Sequence, residues 1–156
     1  MRTSKPVPRK KYFTVAEANA ALPLARAIVR DITTLAHDLR ERHERLSRLK
    51  PNDRTRIGEA YEEELQQVTA EFERDQDRMR DYLKELTELG IELKDFDTGL
   101  VDFPCWVDDH EVYLCWRLGE PEVAHWHEVD AGFAGRRRIT PDFGGRERTG
   151  QQSIRS

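Results

Sequence analysis

No apolar run in this 156-residue chain approaches the ~18 residues that a bilayer-spanning helix needs, so the sequence predicts no membrane span. Cysteine is scarce. Two residues, Cys105 and Cys115, cannot build a disulfide framework, and in a reducing compartment they are expected as thiols. Their expected places are neighbouring strands of one hairpin, where a cross-strand bridge is the single disulfide available. The nine glycines nowhere form a phosphate loop between a strand and a helix, since Gly132 to Arg136 comes late and lacks the right strand before it. No nucleophile stands at a recognisable spacing from a partner, so the sequence discloses no reaction. The opening MRTSKPVPRKKYF is charged but has no apolar run behind it, unlike a secretory leader, and a cytoplasmic protein is expected.

What is present is charge. Charged residues make up 36% of the chain, above the usual quarter, which suits long solvent-exposed helices. The net charge of -4 conceals an asymmetry: residues 1–11 carry five basic and no acidic side chains, and residues 136–156 carry six basic and two acidic. The body between them is strongly acidic. Basic ends can grip nucleic acid or lie on acidic helices, but their Pro, Gly and Ser content and few apolar residues favour disordered, solubilising ends. Nucleic acid, if bound at all, is expected through these tails.

Taken in order, residues 1–12 read as a flexible basic arm. Thr14-Val15-Ala16-Glu17 matches a capping box, so a helix starts at Val15. Pro23 is expected to kink or restart it. From there Leu24, Ile28, Ile32, Leu35, Leu39, Leu46 and Leu49 recur on one helical face until Lys50-Pro51-Asn52-Asp53 ends the helix. A second helix follows with Ile57, Tyr61, Leu65, Val68, Phe72, Met79, Leu83 and Leu86 in the same rhythm. Arg42 interrupts the first stripe and Asp75 or Gln76 the second, and these breaks can meet near the middle of a helical hairpin. Leu89-Gly90-Ile91 supplies a left-handed glycine cap. Stripes left partly uncovered are closed either by the region that follows or by a second copy, and a homodimer is expected.

After Gly90 the apolar period changes to two. Short strands are expected at 91–93 and 100–103, with Pro104 limiting the second or marking it as an edge. Asp108-Asp109-His110 reads as a turn, Val112 to Leu118 as the strongest strand, and Val123 to Val129 as the last. Along the strong strand Val112, Leu114, Trp116 and Leu118 face one way, and Tyr113, Cys115 and Arg117 the other. Gly99 to Arg138 holds all three Trp, both Cys and three of the five His, which makes it the candidate functional block.

Within it, His125 and His127 share a strand face and form a candidate metal or haem site with Cys115. Further ligands are available at Asp102, His110, Glu128 or Asp130. Register parity decides the matter. A four-residue loop at 119–122 pairs Trp116 with His125 and turns both His to the core. A one-residue change pairs Arg117 with His125 and Cys115 with His127, and gathers a Cys/His cluster. A second constellation, Arg117, Glu120, Glu122, His125, Glu128 and Arg136, could serve acid–base chemistry or fix the sheet through salt bridges.

FTVAEANAALP at 13–23, then GLVDFP, then EVYLCWRLGEPEVAHWHEVDAGFAGR resemble an uncharacterised bacterial family, domain of unknown function 2203, over about Tyr12 to Arg138. The resemblance implies a shared fold and a common purpose for Gly99 to Arg136, and no activity comes with it. Gly99, Asp102, Trp116, Arg117, Gly119, Glu120, Trp126, His127, Gly132, Phe133, Gly135 and Arg136 fall on its motifs. His125 stands where relatives are expected to carry Tyr, which shifts weight to His127.

The expected architecture is α+β: a long antiparallel, coiled-coil-like helical hairpin over 14–90 and a small antiparallel β-meander over 91–135. They form one domain at 13–138, with a basic tail over 139–156. The expected function is a dimeric binding or scaffolding module whose Trp-rich unit carries the ligand or partner site, at Arg117, Glu120, His127, Trp116, Trp126 and Arg136. The alternatives are a metal- or haem-binding protein using His127 with His125 and Cys115, and a small enzyme acting on an anionic ligand through Arg117, Glu120 and His127.

Overall fold

The structure is a computed structural model, and it describes residues 10–48 and 58–143. Two helices, α1 (Val15–Arg48) and α2 (Glu59–Glu88), pack on one another. A five-stranded antiparallel sheet follows: β1 (Glu92–Asp95), β2 (Leu100–Val107), β3 (His110–Arg117), β4 (His125–Glu128) and β5 (Arg137–Arg138), ordered as in the chain. This is the α+β hairpin-and-meander that the sequence predicts.

Local chemistry sets the helix ends. The Glu17 amide donates to Thr14 Oγ1 and the Thr14 amide to Glu17 Oε1, each at 3.0 Å, which is the reciprocal capping box. At the end of α2 the Gly90 amide donates to the Thr87 carbonyl and the Ile91 amide to that of Leu86, with Gly90 at φ 90°. This double bond satisfies carbonyls the helix leaves open, and a residue with a Cβ adopts the required backbone only under strain. Ile91 is then delivered, buried, to the core.

Three expectations are corrected. α1 does not restart at Pro23, which lies inside the helix at an exposed position where only its own missing donor is lost from the ladder. The buried stripe of α1 is Ala18, Leu22, Ala25, Ile28, Val29, Ile32 and Leu35, whereas Leu24, placed on that stripe by the sequence, is 54% exposed. β2 continues past Pro104, whose carbonyl accepts the Phe13 amide at 2.7 Å. In a strand a residue's N–H and C=O point to the same side, so the donor that proline lacks faces the Phe13 segment and the ladder to β3 loses nothing. The expected helix end at Lys50 to Asp53 lies outside the described residues, as do Leu49 and Ile57.

The polar interruptions of the two stripes do meet. Arg42 pairs with Asp75, a buried carboxylate that also accepts from Arg78 at 3.3 Å. One sheet face, carrying Val101, Phe103, Val112, Leu114, Trp116 and Trp126, packs with the α1 stripe into the core. Beyond the expected domain end at Arg138 the chain stays folded, with the Ile139 amide bonded to the Ala124 carbonyl. Phe143, 1% exposed, lies 5.4 Å from the Trp126 ring.

Candidate functional site

The other sheet face is where the chemistry collects. Asp108 and Asp109 both take positive φ, closing a two-residue hairpin turn that sets Val107 opposite His110 and hence Asp102 opposite Cys115. β3 and β4 then pair with Tyr113 opposite His127 and Cys115 opposite His125. Neither register derived from loop length is the observed one, but the parity is that of the second. Asp102, Cys115, His125 and His127 therefore share the outer face. Cys105 falls on the inner face and Cys115 on the outer, so neither is in a disulfide and the two cannot bridge.

Asp102, Cys115 and His127 are 2%, 0% and 3% exposed, and their ligating atoms all lie within 4.8 Å of one another. His127 is held at both nitrogens: Nδ1 lies 2.7 Å from the Glu128 carbonyl, and Nε2 lies 3.1 and 3.0 Å from the two Asp102 oxygens. A carbonyl only accepts, so Nδ1 carries the hydrogen there. Nε2 and the Asp102 carboxylate are then two electron-pair donors face to face. A positive centre, proton or cation, has to sit between them.

Burial pushes the Asp102 carboxyl up from the usual carboxylate range, opposed by the adjacent imidazole. Burial, then the neighbouring Asp102 charge, pushes the Cys115 thiol up to about 12. Cys115 is accordingly a protonated thiol at neutral pH and not a nucleophile. Burial, reinforced by Glu92, also raises Tyr113, whose ring lies 5.5 Å from that of His127 and under the Lys94 ammonium.

Arg136 covers the thiol. Its Nη1 lies 3.8 Å from Cys115 Sγ and 3.2 Å from Glu120 Oε1, and its Nη2 pairs with Glu120 Oε2. The Arg117 amide donates to the same carboxylate at 3.0 Å. Glu120 is pulled below the usual carboxylate range: its burial opposes this, but the Arg136 guanidinium and the Arg117 amide prevail. His125 is lowered by burial and by Arg136, and among the described residues its buried Nδ1 has no hydrogen-bond partner.

Of the residues expected from sequence, His127 and Cys115 come together, with Asp102 as third member and His125 outside the group. Glu120 and Arg136 form their own pair beside them. Arg117, four residues from Tyr113 along β3, projects on the outer face roughly 13 Å from the His127 row and does not join it. Trp116 and Trp126 belong to the inner core, and Trp116 Nε1 donates to the Glu120 carbonyl at 3.0 Å, fixing the turn.

Residues 11–139 match a family described as an uncharacterized conserved protein, DUF2203. No curated protein and no solved structure matches the chain. The chain belongs to the DUF2203 family.

Proposed function

We propose that this member of the DUF2203 family is a metal-binding protein holding one divalent cation of the zinc class through Asp102, Cys115 and His127. The observation that carries the reading is His127, whose Nδ1 is committed to the Glu128 carbonyl while Nε2 meets Asp102 and lies beside Cys115. Metal-bound histidines are characteristically oriented this way, their second nitrogen donating to a backbone carbonyl or carboxylate. Mixed sulfur, nitrogen and oxygen donors suit a borderline ion.

Charge supports the same reading. The cluster holds two exchangeable protons, one on the thiol and one shared between imidazole and carboxylate. A divalent cation that enters as both leave keeps the buried site's net charge unchanged, which avoids the large cost of burying uncompensated charge. Three donors converging on one point suit a bare ion and leave no room among them for a haem macrocycle. Purified protein is expected to take up one equivalent of Zn2+ or Co2+, with a thiolate-to-cobalt charge-transfer band that Cys115→Ser removes and Asp102→Asn weakens. Absence of stoichiometric binding, with a melting temperature unmoved by zinc, overturns the reading.

Self-association through the hairpin is the second element of the proposal. It is supported by Leu24, 54% exposed beside a groove formed with Ile28 and Leu89, and by Phe96, 44% exposed over Leu39, Met79 and Leu83. Sedimentation equilibrium is expected to give a dimer that Leu24→Glu or Phe96→Glu dissociates. A monomer at every accessible concentration removes this element and leaves the metal site untouched.

A further inference from the structure

Beside the cluster lies a corner with more positive charge than its neighbours neutralise. The Phe133 ring, 37% exposed, lies under two guanidiniums, Arg136 at 4.4 Å and Arg117 at 5.0 Å. Arg138 stands opposite His125 in the adjoining ladder. Among the described residues the Arg117 and Arg138 side chains have no ion pair, and Glu120 answers Arg136 alone. Three arginines against one carboxylate leave the corner about two charges positive, on a chain whose net charge is -4. The buried His125 Nδ1, without a hydrogen-bond partner among the described residues, adds an unsatisfied polar atom on the same face. Such atoms are uncommon in folded chains and call for a partner.

The geometry points to a binding site for a small oxyanion of the phosphate class, gripped by the Arg136 fork, which Glu120 fills as an internal stand-in. The fork already holds an oxyanion in two-point fashion: Nη1 and Nη2 each take one oxygen of the Glu120 carboxylate, and the Arg117 amide takes the first oxygen again. A planar guanidinium selects this arrangement, and phosphate offers the same pair of oxygens. The backbone at Glu120 is fixed, since its carbonyl accepts Trp116 Nε1. Exchange therefore needs only rotation of the Glu120 side chain, and the excess positive charge favours a dianion over the monoanion it replaces. Because Arg136 also touches Cys115 Sγ, the anion would lie next to the proposed metal. The inference itself rests on the arginine corner and not on that metal.

An internal competitor weakens apparent affinity by the fraction of time it occupies the grip. Titration of the full chain with inorganic phosphate, followed by amide chemical shifts with and without zinc, is expected to show saturable binding centred on Arg117, Glu120 and Arg136. Glu120→Gln should tighten it on the order of tenfold, and Arg136→Lys, which keeps the charge but loses the fork, should weaken it at least tenfold. Acetate in a parallel arm should bind more weakly than phosphate; equal binding reassigns the site to carboxylates and overturns the phosphate assignment. If Glu120→Gln fails to fold, Glu120→Asp carries the same test, since a shortened side chain also vacates the fork. Phosphate that leaves wild type and the Glu120 variant alike unshifted overturns the site, as does Arg136→Lys binding like wild type. Binding to zinc-free protein separates this outcome from failure of the metal reading.

Discussion

At Gly99 the β1–β2 turn lies directly against α1. The residue's φ is 71°, and a Cβ placed there would stand 2.8 Å from Leu118 Cβ and 2.8 Å from Val29 Cγ1, both in packed positions. Gly99→Ala adds left-handed strain of about 1 kcal/mol to overpacking of about 1–3 kcal/mol. The expected loss in chemical denaturation is about 2–4 kcal/mol; a loss below about 0.5 kcal/mol would mean that the β1–β2 turn and α1 move apart freely. The same scale explains what sequence reading missed in the candidate site. Asp102 was one of four acidic or histidine positions offered beside the Cys/His set, with nothing to choose it. The choice lay in the turn at Asp108 and Asp109. Taken as two residues it puts Asp102 opposite Cys115, whereas counting His110 into the turn shifts the ladder by one and sends Asp102 to the wrong face. A pair of aspartates that tolerate positive φ is the signal that would have found it.

Among the elements, those legible in advance were the ones fixed within a few residues. The Thr14 capping box and the Gly90 cap are closed by side chains and amides three to five positions apart, so spacing alone specifies them. The restart expected at Pro23 does not occur, because a proline removes one backbone donor and leaves the rest of the helical ladder in place. An exposed proline leaves a carbonyl that water can satisfy. On the α1 stripe Ile28, Ile32 and Leu35 are buried as the spacing predicts, but Leu24 is not, because Ala18, Ala25 and Val29, small or β-branched, take the packed positions that a leucine looks better suited to anchor. The β3–β4 register stayed open because the connection is irregular. Its geometry depends on Asn19, which bonds Val123 at both amide and carbonyl, on Arg26 at the Pro121 carbonyl, and on Trp116 at the Glu120 carbonyl. Two of those three anchors lie about a hundred residues away in sequence, beyond the reach of any local pattern.

At the scale of the whole molecule the chain divides into a packed end and a projecting one. α1 holds 34 residues, roughly 50 Å of helix, yet nothing after Leu35 in α1 and nothing before Val68 in α2 is buried. Beyond Leu39 and the Arg40–Asp97 ion pair, which reach the β1–β2 turn, the far part of the hairpin is held among the described residues by helix-to-helix contact and should open without disturbing the sheet. A cation at Asp102, Cys115 and His127 would instead join β2, β3 and β4 to one another, stabilising the folded sheet by about 2.7 kcal/mol when free metal stands at a hundred times its dissociation constant. Hydrogen exchange should therefore show zinc slowing amides of 100–107, 110–117 and 125–128 while those of 40–48 and 59–67 keep their rates, and Cys115→Ser should abolish the difference. Protection that rises equally in sheet and distal helices would mean the molecule opens only as one unit, and the division drawn from burial would fail. No change anywhere, with zinc bound in stoichiometric amount, would put the ion elsewhere than between the three central strands.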